Sequence, residues 1–136
     1  MEDFLSTYTP TVLAVGITGG LLLLQLLIVD VAGIISRHTP GTPVLAEHEN
    51  FLFRATRAHA NTNESVSSFM LLVLFAVASS ASPTWLNYLS VLYMAGRIGH
   101  MCFYYANMKI LRSVSFAISL IALFGILGLS CAVWLT

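Results

Sequence analysis

The chain has 136 residues, of which 57% are hydrophobic and 9% charged, and its formal net charge is zero. A soluble domain carries about 25% charged residues, so an ordinary water-facing globule is excluded. A neutral chain of this length also lacks the basic field that nucleic-acid binding needs, and it fits a single domain.

The sequence starts Met1-Glu2-Asp3-Phe4, without the positive n-region of a secretory signal, so the first apolar segment is expected to be retained. That segment, about 11–36, is longer than the roughly 20 apolar residues needed to cross a bilayer. Gly16, Gly19 and Gly20 allow close helix approach in lipid. Gln25 and Asp30 interrupt it, and a carboxylate facing lipid is expensive, so Asp30 is expected to pair between helices. Pro40, Gly41 and Pro43 mark a loop.

The second segment, about 48–80, begins polar and ends apolar. A helix advances about 100° per residue, which places Arg54, Arg57, Asn61 and Glu64 within an arc of roughly 80° and leaves His59 well off it. Ionisable groups at the edge of hydrocarbon mark functional sites or snorkel to water, and this stretch alone leaves both readings open. After the turn at Ser82-Pro83, the third segment, about 84–107, repeats the pattern: Arg97, His100 and Tyr104 are three and four apart, hence on one face. The fourth, about 112–135, opens on Arg112 and Ser113, where a helix start favours anions. Trp85 and Trp134 suit interfaces.

The chain therefore reads as all-α, an integral, multi-pass membrane four-helix bundle with both termini on one side. Arg37, Arg54, Arg57, Lys109 and Arg112 all fall at the side of the first and third connections, so that side is expected to face the cytoplasm. The basic groups outnumber Glu64 and Asp30 at that depth, which favours an anionic ligand. Glutathione fits the donor set: arginines for its carboxylates, Glu64 for its ammonium, Asn61 for a peptide amide, and a cation or helix start to lower the thiol pKa. Other small zwitterions fit as well. Cys102 and Cys131 have no metal-ligand spacing, and neither His38 nor His48 suggests a metal.

Arg54-x-x-Arg57-x-His59-x-Asn61-x-x-Glu64, then Gly96-Arg97-x-x-His100-x-x-x-Tyr104, then Arg112-Ser113-Val114 resemble, in order, the motifs of the MAPEG family, the membrane-associated proteins of eicosanoid and glutathione metabolism. The likeness spans about residues 12–134 and leans toward the microsomal prostaglandin E synthase and microsomal glutathione transferase branch. It implies a homotrimer that binds glutathione between subunits and takes a lipophilic small molecule from membrane lipid. By position, Arg37 would hold a glutathione carboxylate, while Arg57, Asn61 and Glu64 bind the peptide and Arg54 supports them. His100 and Tyr104, or Tyr105 one register on, would touch the tripeptide. Arg97 would sit in the interior beside a carboxylate. Arg112 would stabilise the thiolate, as in the leukotriene C synthase branch, and Ser113 matches the serine assigned to the thiol in the prostaglandin branch. Ala60, Phe116, Ala117 and Leu120 depart from the prostaglandin pattern.

The function expected is a glutathione transferase or peroxidase of detoxification, with an endoplasmic reticulum or, by preference, a bacterial inner-membrane residence. The alternatives are an isomerase like prostaglandin E synthase, a non-catalytic lipid-binding protein, and a small transporter.

Overall fold

The computed structural model describes residues 2–135. Among them the chain forms α1 (Glu2–Ile35), α2 (Phe51–Ala78), α3 (Pro83–Tyr105) and α4 (Lys109–Leu135). Ser6–Ile35 and Lys109–Leu135 are long and apolar enough to cross a membrane.

The packing inverts the pattern of a water-soluble bundle. The buried line of α1 is Thr11, Ala14, Thr18, Leu21 and Gln25, spaced three and four apart. Its outer face is large and apolar, with Leu13, Leu23, Leu27, Ile34 and Ile35 all more than half exposed. Small and polar residues likewise fill the inner line of α4, at Ser115, Ser119, Ala122 and Ser130. Lipid tails are as apolar as leucine, so helices in a bilayer gain by close contact of small residues and leave bulk outside. With the apolar spans, this arrangement is that of a membrane protein.

The helix ends share one device. At Arg37, Ser80 and Asn107 the backbone turns left-handed, with φ of 53°, 56° and 58°. Each donates its N–H to the carbonyl three back, and the next residue donates five back: His38 to Gly33, Ala81 to Ala76 and Met108 to Phe103. These paired bonds satisfy the last carbonyls of α1, α2 and α3 and reverse the chain. Asn50 caps the start of α2 through its side-chain oxygen, 2.9 Å from the Leu52 nitrogen. Pro83 opens α3, where a missing N–H costs nothing.

Helix α1 begins well before the expected Thr11 and carries Pro10 inside it. Proline disrupts the hydrogen-bond ladder around itself. The amide of Asn87, on α3, splices the gap: Thr11 donates to its Oδ1 from both N (3.2 Å) and Oγ1 (2.7 Å), and its Nδ2 donates to the Thr7 carbonyl at 2.9 Å. Thr7 and Thr11 would bond each other in an unbroken helix. Asn87→Leu is expected to lower stability by about 1–2 kcal/mol, given what hydrogen bonds contribute in water and in bilayers. Pro10→Ala restores the ladder, so the penalty should shrink in that background. Denaturation of the two single variants and the double variant in detergent measures the difference.

The hydrophobic core lies toward the end that holds the termini, around Ala14, Phe69, Val73, Leu86, Tyr93, Leu123 and Ile126. Phe69 and Tyr93 stack with centroids 4.2 Å apart, and the Tyr93 hydroxyl meets Ser65 Oγ at 2.8 Å. Trp134 Nε1 donates to Ser79 Oγ at 2.8 Å, tying the end of α4 to the end of α2. Helix α3 lies against all three others, whereas no Cα of α1 comes within 8 Å of one of α4 among the described residues. The pairing expected of Asp30 is not formed: it is exposed, whereas Gln25 is 0% exposed with neither amide atom partnered. The five residue steps between them turn the helix by about 500°, leaving the two roughly 140° apart, so only Gln25 falls on the inward line.

Candidate functional site

At the opposite end, a close crossing of α3 on α4 sets the site. A Cβ at Gly96 would overlap the Ser119 hydroxyl and sit 3.0 Å from the Ser115 carbonyl oxygen, so the two backbones meet there only because residue 96 is glycine. Ser119 Oγ donates to the Tyr93 carbonyl at 3.3 Å across the same contact. Arg97 and His100 follow directly on the inner face of α3.

Arg97 is 1% exposed. Its Nη1 donates to Asn61 Oδ1 at 2.8 Å, and its guanidinium lies 5.3 Å from the Phe116 ring centre and 5.6 Å from that of Tyr93. The carboxylate expected beside Arg97 is therefore an amide. Asn61 stands opposite it on α2, while Glu64 is exposed at the rim. This matters because an amide gives a hydrogen bond without neutralising the charge. Nε of Arg97 and Nδ1 of His100 are buried without a partner. Since Asn61 Oδ1 faces Arg97, its Nδ2 is left to donate elsewhere.

Two adjoining cavities open on this cluster. One, of 280 Å³, is lined by Asn61, Glu64, Ser65 and Ser68 of α2, Arg97 of α3, and Phe116, Leu120 and Leu123 of α4. The other, of 180 Å³, is lined by Asn61, His100, Arg112, Ser113 and Phe116. Together they form a cleft between α2 and α4 with α3 as its floor. The polar wall is α2, and the apolar wall is α4, where Phe116 and Leu120 stand.

The Arg112 guanidinium lies 4.4 Å from the centre of the Tyr104 ring, a cation–π contact. Tyr104 in turn meets His100 edge-on at 5.3 Å. Tyr105 points to the other side, against Phe51 at 5.4 Å. Ser113 Oγ donates to the Lys109 carbonyl at 3.0 Å.

The fold thus gathers Asn61, Glu64, Arg97, His100, Arg112 and Ser113 around one cleft, with Tyr104 beneath Arg112. It does not bring Arg37, Arg54 or Arg57 there. Arg54 donates to the carbonyls of His48 and Glu49 and covers the Phe51 ring at 5.5 Å, so it holds the loop before α2. Arg37 and Arg57 are exposed and line neither cavity. The half-buried His59 lines neither as well. Sequence reasoning passed over Ser65, Ser68 and His48. The two serines extend the Asn61–Glu64 face by a turn, so helical spacing was a sufficient signal for them.

No curated protein and no solved structure matches the chain. The sequence model of the MAPEG family matches residues 11–132, a stretch that begins inside α1, ends inside α4 and takes in every residue of the cleft. The chain belongs to the MAPEG family.

Proposed function

We propose that the protein is a glutathione-dependent membrane enzyme that activates the glutathione thiol and delivers it to a lipophilic electrophile or hydroperoxide. Family membership supports the broader statement, a role in glutathione- or eicosanoid-related metabolism at a membrane. The observation that carries the finer one is Arg97: a guanidinium 1% exposed, at the floor of a cleft, held by an amide and by no carboxylate. A buried cation without a counter-charge is costly, and an anionic ligand in the cleft offsets that cost.

In this reading Asn61 Nδ2 donates to a peptide carbonyl and Glu64 takes the ammonium. Arg97 supplies the field for a carboxylate. Arg112 stabilises the thiolate, because a cation lowers a thiol pKa directly, whereas the Ser113 hydroxyl offers one hydrogen bond. The thiol proton passes to water. Thiolate attack on an electrophilic carbon forms the C–S bond of a conjugate and expels the leaving group, or adds across an activated alkene that then takes a proton. Attack on a peroxide oxygen breaks the O–O bond, releases an alcohol after protonation, and leaves an oxidised sulfur that a second glutathione converts to disulfide. The apolar α4 wall offers the lipophilic partner its approach. We read the assembly as a homotrimer with its cleft toward the cytoplasm, in which the exposed Arg37 and Arg57 serve a neighbouring subunit's site.

Titrating glutathione into purified protein in nanodiscs is expected to give saturable binding and the ultraviolet absorbance of a thiolate. Turnover of a generic aryl halide or an alkyl hydroperoxide should follow. Absence of binding would sink the reading. Binding without turnover of either substrate would favour isomerase chemistry.

A further inference from the structure

The loop before α2 reaches over the mouth of the cleft and touches Arg112. His48 Nδ1 lies 3.3 Å from Arg112 Nη1. The His48 ring meets Phe53 edge-on at 5.3 Å and lies 6.3 Å from the Tyr104 ring on which Arg112 rests. The loop is itself pinned: Arg54 donates to the His48 and Glu49 carbonyls, and Asn107 Nδ2 donates to Glu49 Oε1 at 3.5 Å. Five partners, Arg112, Phe53, Tyr104, Arg54 and Asn107, hold the two residues His48 and Glu49 in this placement.

We propose that His48 is a positioning residue for Arg112. It rests on the reading of Arg112 as the thiolate-stabilising cation. An arginine side chain has many rotamers, and holding it in one of them costs conformational entropy. Tyr104 supplies a platform from below but no direction within its plane. The Nδ1 lone pair supplies that direction. Arginine can only donate, so Nδ1 must accept, which requires the neutral ring with its proton on Nε2. His48 therefore orients the guanidinium without neutralising it, as a carboxylate would, and the positive field at the cleft is kept whole. Protonating His48 turns the acceptor into a donor and sets two cations against each other. The groups against the ring are Arg112 from α4, Tyr104 from α3 and Phe53 from α2, while Arg54 of α2 holds the His48 backbone carbonyl.

The test is the proton and nitrogen resonances of the Arg112 side chain in nanodiscs, assigned with Arg112→Lys. Seated on the Tyr104 ring, they should be shifted upfield by the ring current in the wild type. His48→Phe keeps the packing on Phe53 and removes the acceptor. His48→Asn removes the ring and keeps an acceptor at the position of Nδ1. The proposal expects His48→Phe to lose the upfield shift and His48→Asn to retain most of it. In turnover, His48→Phe should lower kcat about 10-fold with KM nearly unchanged, the loss of one charge-assisted hydrogen bond, and His48→Asn should recover most of it. Equal behaviour of the two variants, or a wild-type signal without an upfield shift, overturns the proposal. If glutathione yields no thiolate while the resonances behave as expected, the thiol reading falls and the positioning role stands.

Discussion

Replacing Arg112 with alanine is expected to abolish the thiolate absorbance of bound glutathione and to lower kcat/KM about 10²–10³-fold, as removal of one preorganised charge-stabilising group does. Binding of the tripeptide should weaken far less, because Asn61, Glu64, Arg97 and His100 remain. Arg112→Lys is expected to recover part of the loss. It keeps the charge, but an ammonium is more strongly hydrated and cannot lie flat on the Tyr104 ring as the guanidinium does at 4.4 Å. Ser113→Ala should cost no more than about 10-fold, the scale of a single hydrogen bond. The Ser113 hydroxyl already donates to the Lys109 carbonyl and must leave it to serve sulfur. Single-turnover measurement of conjugate formation, with thiolate absorbance in parallel, separates the two residues. A thiolate signal in Arg112→Ala equal to that of the wild type would remove Arg112 from the chemistry.

Arg97→Met is expected to leave the protein as stable as the wild type or more so, and to raise the Kd for glutathione by about 10–100-fold, the range for losing a hydrogen bond to a charged group. The two effects have one cause. Burying a guanidinium at 1% exposure beside only an amide is unfavourable, and replacing buried ions by well-packed apolar side chains is often neutral or stabilising by about 1–4 kcal/mol. Methionine fills the space between Tyr93 and Phe116. Asn61, freed from Arg97, lines both cavities and can be hydrated. Arg97→Ala should instead destabilise by about 2–4 kcal/mol, since it leaves a void. Thermal unfolding in detergent with and without glutathione reads both quantities. A destabilised Arg97→Met that binds normally would show the guanidinium to be a structural strut.

The four helices, and the convergence of the second, third and fourth on one cleft, were legible from spacing alone. Polar groups on apolar helices tend to face one another, and Asn61, Arg97 and His100 do so, whereas Arg57 stays exposed. What escaped was decided by contacts distant in sequence. The amide that lets α1 run through Pro10 comes from Asn87, and no local signal around Pro10 announces it. Arg54 shares a helical face with Asn61, yet it turns to loop carbonyls because the loop folds back over the start of α2. Spacing reports direction around a helix and not what waits there. Arg97 lies in the interior, as the resemblance implied, but the carboxylate implied beside it is an amide, because Asn61 is the residue that α2 presents there. His48 looked inert because a loop histidine without metal spacing carries no pattern, and its nearness to Arg112 arises only when two helix starts are folded side by side.

The ties along the bundle are unevenly spread, and this sets its mechanics. At the end of the termini, Asn87 clamps α3 to α1, Trp134 clamps α4 to α2, and the Phe69–Tyr93 stack fills the space between. Toward the cleft, α2 and α4 are separated by cavities, with a loop latched across the mouth by side chains. A set of rods riveted at one end bends most at the other. Thermal motion should therefore collect at the mouth, where local opening costs least. In the proposed reading, the mouth would spread to admit and release the tripeptide while the riveted end keeps the helices in register, like tweezers working from a fixed hinge.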